Sequence, residues 1–354
     1  MAVHLQFRRY RLPLRMPLRT AHEVWTEREG IVVRLEDRGG AVGFGEAAPI
    51  PAFATETVDA AEAAIRSLGE WPTEEQLSAV PTALPCVRHA LTEARSDIER
   101  PVGDPTDRSH PSAQSDASYR AVAALLPAGR AALSEIHPKL EAGFRIFKWK
   151  VGVGAIADEL GQLDDLCAEL PAGGKLRLDA NGAWQRRDAE RWLERCAERP
   201  IEFVEQPCFA SKTAGETAQL RAEDTLRGLA EDYPTPLALD ESVVCDADVM
   251  RWLGNGWPGW FVIKPSLLGD VVTVLGKLRS AKSTVVFSSA LETAVGARSA
   301  LRHAFAWQGE PKALGFGVWP LFVDARFDGP ALAPFIRSPD FSRLDPAVVW
   351  NALS

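Results

Sequence analysis

Apolar and polar residues alternate with period two over Leu5–Leu12 and Gly30–Glu36 and again, more weakly, over Val42–Ala47. Successive strand side chains point to opposite faces, so this spacing predicts three strands. Gly39-Gly40 between the last two marks a hairpin turn. The period then lengthens. A helix is expected from about Thr55 to Leu68, stopped by Gly69. Thr73-Glu74-Glu75-Gln76 has the spacing of a capping box that starts a short second helix. Val87, Ala90, Leu91, Ala94 and Ile98 share one face of a third, over Cys86–Ile98.

Residues 101–116 (PVGDPTDRSHPSAQSD) break the pattern, being rich in Pro, Ser and Asp with a single apolar side chain. This is the best domain boundary in the chain. Beyond it, short strand-like runs end near Ala123, Lys150, Asp179, Glu205, Asp240, Lys264, Ser289 and Gly315. From Lys150 onward the spacing is 24 to 35 residues, with a helical pattern in each interval, such as Ala189, Trp192, Leu193 and Cys196. Eight such βα units predict a parallel sheet closed into a (β/α)8-type barrel, an α/β fold. The expected division is an α+β N-terminal capping domain over residues 1–112 and a modified (β/α)8 barrel over 113–320. A Pro-rich segment, about 321–354, is expected to return and complete the first domain.

Composition narrows the class. The 354 residues are 46% hydrophobic and 25% charged, with a net charge of −8. An acidic chain without clustered Lys and Arg argues against nucleic acid as a partner. The arginines at 8, 9, 11, 15 and 19 alternate with apolar residues, as on a solvated strand face. No apolar run approaches the ~20 residues of a membrane span, and the N-terminus lacks the pattern of a signal peptide. Five cysteines, widely spaced and without a C-x-x-C pair, fit reduced thiols. A cytoplasmic protein, monomer or homo-oligomer, with no nucleic-acid or membrane partner is expected.

The chemistry lies at the strand ends. FKWK puts Lys148 and Lys150 on one face, and LRLDAN does the same for Arg177, Asp179 and Asn181. Glu205 closes FVEQP, Asp240 closes LALDES, and Lys264 closes FVIKPS. In a barrel these ends converge on one mouth. Two carboxylates 4 Å apart repel by about 4 kcal/mol at an effective dielectric of 20, so three together need a cation. Carboxylate oxygens suit a hard ion such as Mg²⁺, with Mn²⁺ as a substitute. The flanking lysines are candidate bases, since neighbouring positive charge depresses a lysine pKa. A single acid at a strand end is ordinarily a cap or loop residue; five ionisable residues in the order Lys, Asp, Glu, Asp, Lys are not. Gly152-Val-Gly154-Ala-Ile-Ala157 also follows a strand and has the form of a dinucleotide fingerprint. A first Rossmann strand is buried on both faces, and Lys148 and Lys150 contradict that.

KWKVG, LRLDANGAW, FVEQP, ALDES and VIKPSLLG, in this order, resemble the enolase superfamily. The opposed lysines place the chain with the muconate lactonizing enzyme subgroup. The mandelate racemase subgroup would use a late histidine, and none of the six histidines ends a suitable strand. REGIVVRL and GFGEAAPIP are similar to the capping domain of these enzymes. IKPSLLG, SSALET and VAALLPAG narrow the resemblance to the o-succinylbenzoate synthase family, cyanobacterial versions in particular. The Asp-x-Asp of dipeptide epimerases is missing from ALGFGVWPLF.

The resemblance implies a Mg²⁺-dependent lyase that dehydrates the small carboxylate 2-succinyl-6-hydroxy-2,4-cyclohexadiene-1-carboxylate to 2-succinylbenzoate in menaquinone or phylloquinone biosynthesis. It implies metal ligation by Asp179, Glu205 and Asp240, and opposed catalytic roles for Lys150 and Lys264, with the acid and base labels open. Candidate substrate contacts are Lys148, Arg177, Asn181, Ser288 and Ser289, Lys148 also acting on Lys150 by like charge. Thr20, His22 and Pro49–Phe53 fall in loops expected to close over the mouth. An N-succinylamino-acid racemase or dipeptide epimerase on the same scaffold, and a catalytically silent barrel binding a small anion or partner, are the alternatives.

Overall fold

The computed structural model describes residues 3–19, 24–99, 118–211 and 214–353. The expected linker, Thr20 and His22 lie outside them.

β1 (His4–Arg19) pairs antiparallel with β2 (Val24–Glu36), and β2 with β3 (Val42–Ala47). β2 is continuously apolar over Ile31–Val33 because both faces are covered. Ile31, Val33 and Leu35 pack with α1 (Val58–Ser67) and α3 (Pro85–Glu99), whereas Val32 joins the core beneath the sheet. Both strands run further than their apolar pattern. The N-terminal extension of β2 carries cross-strand charge instead, Glu29 meeting Arg9 and Arg11 of β1 and Glu27 meeting Arg11, which hydrophobic spacing does not register. Asp37 accepts from the N–H groups of Gly39 and Ala41 and closes the expected hairpin. The capping box of α2 (Glu74–Ser78) forms as read: Gln76 N–H donates to Thr73 Oγ1, and Thr73 N–H to Gln76 Oε1. Gly43 and Gly45 let α3 lie directly on β3, since a Cβ there would come within 1.8 and 1.9 Å of the Ala94 and Ala90 carbonyls.

The rest of the chain winds a parallel sheet in chain order: β5 (Ala123–Leu126), β6 (Ile146–Lys150), β7 (Lys175–Asp179), β8 (Ile201–Glu205), β9 (Leu237–Leu239), β10 (Trp260–Ile263) and β11 (Val285–Phe287). The ring closes through Leu314, bridged to Val122, and Gly315, bridged to Ser288. Seven helices connect these eight positions: α4 (Ala131–Glu141), α5 (Ile156–Glu169), α6 (Arg186–Cys196), α7 (Glu216–Asp232), α8 (Asp246–Gly254), α9 (Val271–Ser280) and α10 (Ala294–Ala306). The expected eighth βα unit therefore has a strand position but no barrel helix. Gly317 lies so close to the first strand that a Cβ would sit 2.3 Å from the Ala123 carbonyl, and GVWP has no helical period. The first barrel strand also ends later than expected, because β4 (Tyr119–Ala121) pairs with β12 (Phe335–Arg337) outside the ring.

After Gly315 the chain returns to the N-terminal sheet. Leu14 bridges Phe322, and Arg8 stacks 4.4 Å over Trp350. α3 is also clamped to α10. Glu93 accepts from Ser299 Oγ, Arg302 and the His303 ring, and Asp97 from Arg298 and Arg302. Phe203, Ala238, Val262 and Val286 form a separate small cluster on the inner face of β8–β11. Chemistry is left to the C-terminal strand ends above it.

Candidate active site

β6 shows how the site is built. Phe147 and Trp149 are fully buried among the outer helices, so Lys148 and Lys150 must face the ring interior. Register then aligns the functional side chains: Lys150 pairs with Asp179 across β6–β7, and Asp179 with Glu205 across β7–β8. Asp240 and Lys264 directly follow β9 and β10. In an eight-position ring, β6 and β10 stand four places apart. Lys150 and Lys264 therefore rise from opposite walls, with the three carboxylates on the consecutive strands between them.

The charges are unevenly satisfied. Lys148 Nζ lies 2.9 Å from Asp179 and 2.7 Å from Glu205, and Lys264 pairs with Asp240. Among the described residues no acid pairs with Lys150. Burial opposes the charge on Lys148, but Asp179, Glu205 and Asp240 outweigh it and hold its pKa above the ordinary lysine range. Burial likewise works against Asp179, yet Lys148 and Lys150 together hold it below the usual carboxylate value. Glu205 behaves oppositely although it shares Lys148. Burial, with repulsion from Asp179 and Asp240, pushes it up to about 8.

The fit to a metal can be judged from the donors. Among the described residues no three His, Cys, Asp or Glu side chains converge tightly enough to hold an ion as placed; each of the three carboxylates faces a lysine. The set itself is all-oxygen, buried and on three adjacent strand ends. Adding Glu241 gives four acids against three lysines. An all-oxygen set of four acids fits the donor preference of a hard divalent cation such as Mg²⁺.

Asn181 belongs to the mouth. Its backbone N–H donates to Asp179 Oδ1, and its Nδ2 donates to Glu241 Oε1 at 2.9 Å. The remaining candidates are turned elsewhere. Arg177 sits two residues below Asp179 and donates to Glu202 at 2.6 Å while stacking on Phe203. It reaches Glu202 because β8 bulges there: Leu176 pairs with Ile201 and Arg177 with Phe203, leaving Glu202 extra. Arg177 thus packs the barrel floor. Lys148 spends its ammonium on Asp179 and Glu205. The N–H groups of Ser288 and Ser289 close the ring onto Ile263 and Gly315. The Ser288 hydroxyl donates to Gly315 O, and that of Ser289 accepts from Leu291 N–H.

The glycine loop after Lys150 also has an internal partner. Gly152, Val153 and Gly154 N–H all donate to the carboxylate of Glu159, at 2.9 to 3.0 Å. These donors, which a phosphate would need, are already taken, and the dinucleotide reading falls.

Several residues escaped the sequence reading. Gln206 Oε1 accepts from the N–H groups of Asp240 and Ser242, tying β8 to the β9 end. Arg28 donates to the carbonyls of Ala48, Pro49, Ala290 and Leu291, stapling the 48–49 loop to the turn after β11. Glu46 accepts from Thr293 and Gly296 N–H, capping α10 from the N-terminal sheet. Gln206 and Glu241 had a signal, since each follows a candidate ligand in FVEQP and LALDES. Arg28 and Glu46 had none. The short helix Pro51–Phe53 brings the Phe53 ring to 5.1 Å from Lys264 Nζ. Beside the mouth, a cavity of about 270 Å³ opens between Phe53, Phe209, Leu226, Glu241 and Arg251. It meets the charged cluster only at Glu241.

Comparison with known proteins agrees with this geometry. Residues 3–98 match the family model "MenC, N-terminal domain" and residues 132–298 "Enolase C-terminal domain-like". An o-succinylbenzoate synthase from Thermosynechococcus vestitus is 41% identical over 323 residues, 88% of this chain and 92% of that one. The crystal structure of an o-succinylbenzoate synthase from Thermosynechococcus elongatus BP-1, with Mg in its active site, superposes with a TM-score of 0.78 at 39% identity. The match covers 93% of this chain and 96% of that one. An N-succinyl Arg/Lys racemase from Bacillus cereus reaches the same TM-score at 17% identity, covering 99% and 96%, which is a likeness of fold alone. At 41% identity over nearly the full length of both proteins, the chain belongs to the o-succinylbenzoate synthase family of the enolase superfamily.

Proposed function

We propose that this protein is a Mg²⁺-dependent o-succinylbenzoate synthase acting in the cytoplasm, a lyase that removes water from 2-succinyl-6-hydroxy-2,4-cyclohexadiene-1-carboxylate. The observation that carries the reading is the opposition of Lys150 and Lys264 across three buried carboxylates. The family relationship supplies the substrate.

The reaction breaks the C–H bond beside the ring carboxylate and the C–O bond of the neighbouring hydroxyl, and the released electron pair completes an aromatic ring. Lys150, with no acid paired to it, is the group able to take the proton. From the same face it returns that proton to the departing hydroxide, which leaves as water. Lys264 presents its ammonium from the opposite wall, where negative charge grows as the proton leaves. Asp179, Glu205 and Asp240 would hold a divalent ion, which would supply further stabilisation of the developing negative charge. Lys148 holds Asp179 and Glu205 in place and leaves substrate contact to others. Arg28, Phe53 and the 48–53 segment close the mouth against water.

The test follows the absorbance change of aromatization with purified protein, substrate and Mg²⁺, against a chelator control. Fast, metal-dependent turnover is expected. A folded, Mg²⁺-loaded protein that leaves the substrate untouched would remove this function, and solvent deuterium exchange into N-succinylamino acids would be measured next.

A further inference from the structure

Glu241 is almost fully buried, 3% exposed, one residue beyond Asp240. Its Oε1 accepts from Asn181 Nδ2, so the side chain reaches from the β9 end across β8 to the loop after β7. Its backbone is held as firmly. Gln206 accepts from the N–H groups of residues 240 and 242, one on each side of Glu241. This much fixation ends in an unsatisfied atom: Oε2 is buried and has no donor among the described residues. A buried carboxylate oxygen without a donor is costly, and native proteins rarely keep one without a role. Asp179, Glu205 and Asp240 each have a lysine within ion-pair distance, whereas no described lysine or arginine pairs with Glu241.

We infer that Glu241 is a fourth acid of the cation site, a positioning residue whose Oε2 faces the bound divalent ion or the water around it while Asn181 fixes Oε1. The inference rests on the metal-dependent function proposed above and adds to it a residue outside the three-carboxylate set. The ion supplies the positive charge that the chain withholds from Oε2, and Glu241 stiffens the site against loss of the ion.

Metal-free full-length protein and Glu241→Gln, which keeps shape and an acceptor for Asn181, would be titrated with Mg²⁺ by calorimetry and by thermal shift. Loss of an outer partner of a metal site weakens binding roughly tenfold to a hundredfold, and that is the loss expected. In chelator the order should reverse, with Glu241→Gln at least as heat-stable as wild type, because the substitution removes a buried carboxyl oxygen that has no donor. Mg²⁺ affinity within twofold of wild type would overturn the inference. So would a variant that melts early in chelator yet binds Mg²⁺ normally, since Glu241 would then be structural only. If Glu241→Gln does not fold, Glu241→Asp is used. It keeps the charge but shortens the reach, and unchanged affinity there also overturns the inference. A wild-type protein that takes up no Mg²⁺ would instead remove the metal-dependent function itself.

Discussion

Two of the buried charge clusters among the described residues are built on opposite principles. Between α3 and α10, Glu93 is held by Ser299, Arg302 and His303, and Asp97 by Arg298 and Arg302. Burial works against Glu93, but His303 and Arg302 overcome it and keep its pKa well below the usual value. At the barrel mouth Glu205 and Glu241 are each pushed up to about 8, by burial first and then by neighbouring acids, and no acid pairs with Lys150. The clamp is complete within the chain. The mouth is incomplete: among the described residues Glu241 lacks a cationic partner and Lys150 lacks an acid. Buried charge that is fully matched gives shape, and buried charge left unmatched marks where a ligand enters.

The sharpest break of this contrast is to truncate the two lysines. Lys150→Ala and Lys264→Ala should each lose roughly 10²–10⁴-fold in kcat, with circular dichroism and Mg²⁺ binding retained. Two active variants would sink the roles proposed for them. The converse test is at the clamp. Glu93→Gln leaves buried Arg302 with Asp97 as its one remaining acid partner among the described residues and should cost about 2–4 kcal/mol in denaturant unfolding. Its kcat per folded molecule should be unchanged. A clamp variant with full stability and lost turnover would reverse the contrast.

Much of the mouth could be read from sequence because each of its charges interrupts an apolar strand. Lys150, Asp179, Glu205, Asp240 and Lys264 end runs that otherwise read as buried, and period two puts each on a definite face. The capping box at Thr73 and the hairpin at Gly39-Gly40 were equally local, and both formed. What escaped depends on partners far along the chain. Glu46 caps a helix that begins almost 250 residues later, and Arg28 staples a turn at 290–291. Neither has a neighbour in sequence that betrays it. Arg177 shows a related limit: its face follows from period two, but the bulge that brings Glu202 to it leaves no mark in the apolar pattern. The eighth barrel helix was expected from counting strands, and the close approach at Gly317 leaves no room for that regularity.

Glu292, just beyond the mouth, tests whether an unmatched charge carries a measurable cost. It is fully buried, Oε1 has no donor, and burial and Glu46 push its pKa up to about 7. The folded protein therefore keeps a proton on it to about pH 7, while the unfolded chain releases it near 4.3. Stability from this group is present below the unfolded value and is lost as pH rises through the folded one. Glu292→Gln should raise stability by up to about 4 kcal/mol at pH 8 and by nothing near pH 4. An equal gain at both pH values would assign the effect to packing instead.

The smallest effect expected is at Phe53, where the N-terminal domain meets the mouth. Lys264 is matched by Asp240 on one side and by the Phe53 ring, 5.1 Å away, on another. A cation over an aromatic face gains about 0.5–2 kcal/mol depending on solvent exclusion. Phe53→Leu keeps an apolar wall but loses the ring's negative face, and should lower kcat/KM by roughly fivefold, about 1 kcal/mol. Phe53→Tyr should restore it. The decisive comparison repeats Phe53→Leu in a Lys264→Ala background. If the ring acts through the ammonium, the second substitution costs nothing further, since contacting residues show a coupling energy that distant ones do not. A full penalty in both backgrounds would mean that Phe53 touches the substrate directly, and the ammonium would then depend on Asp240 alone.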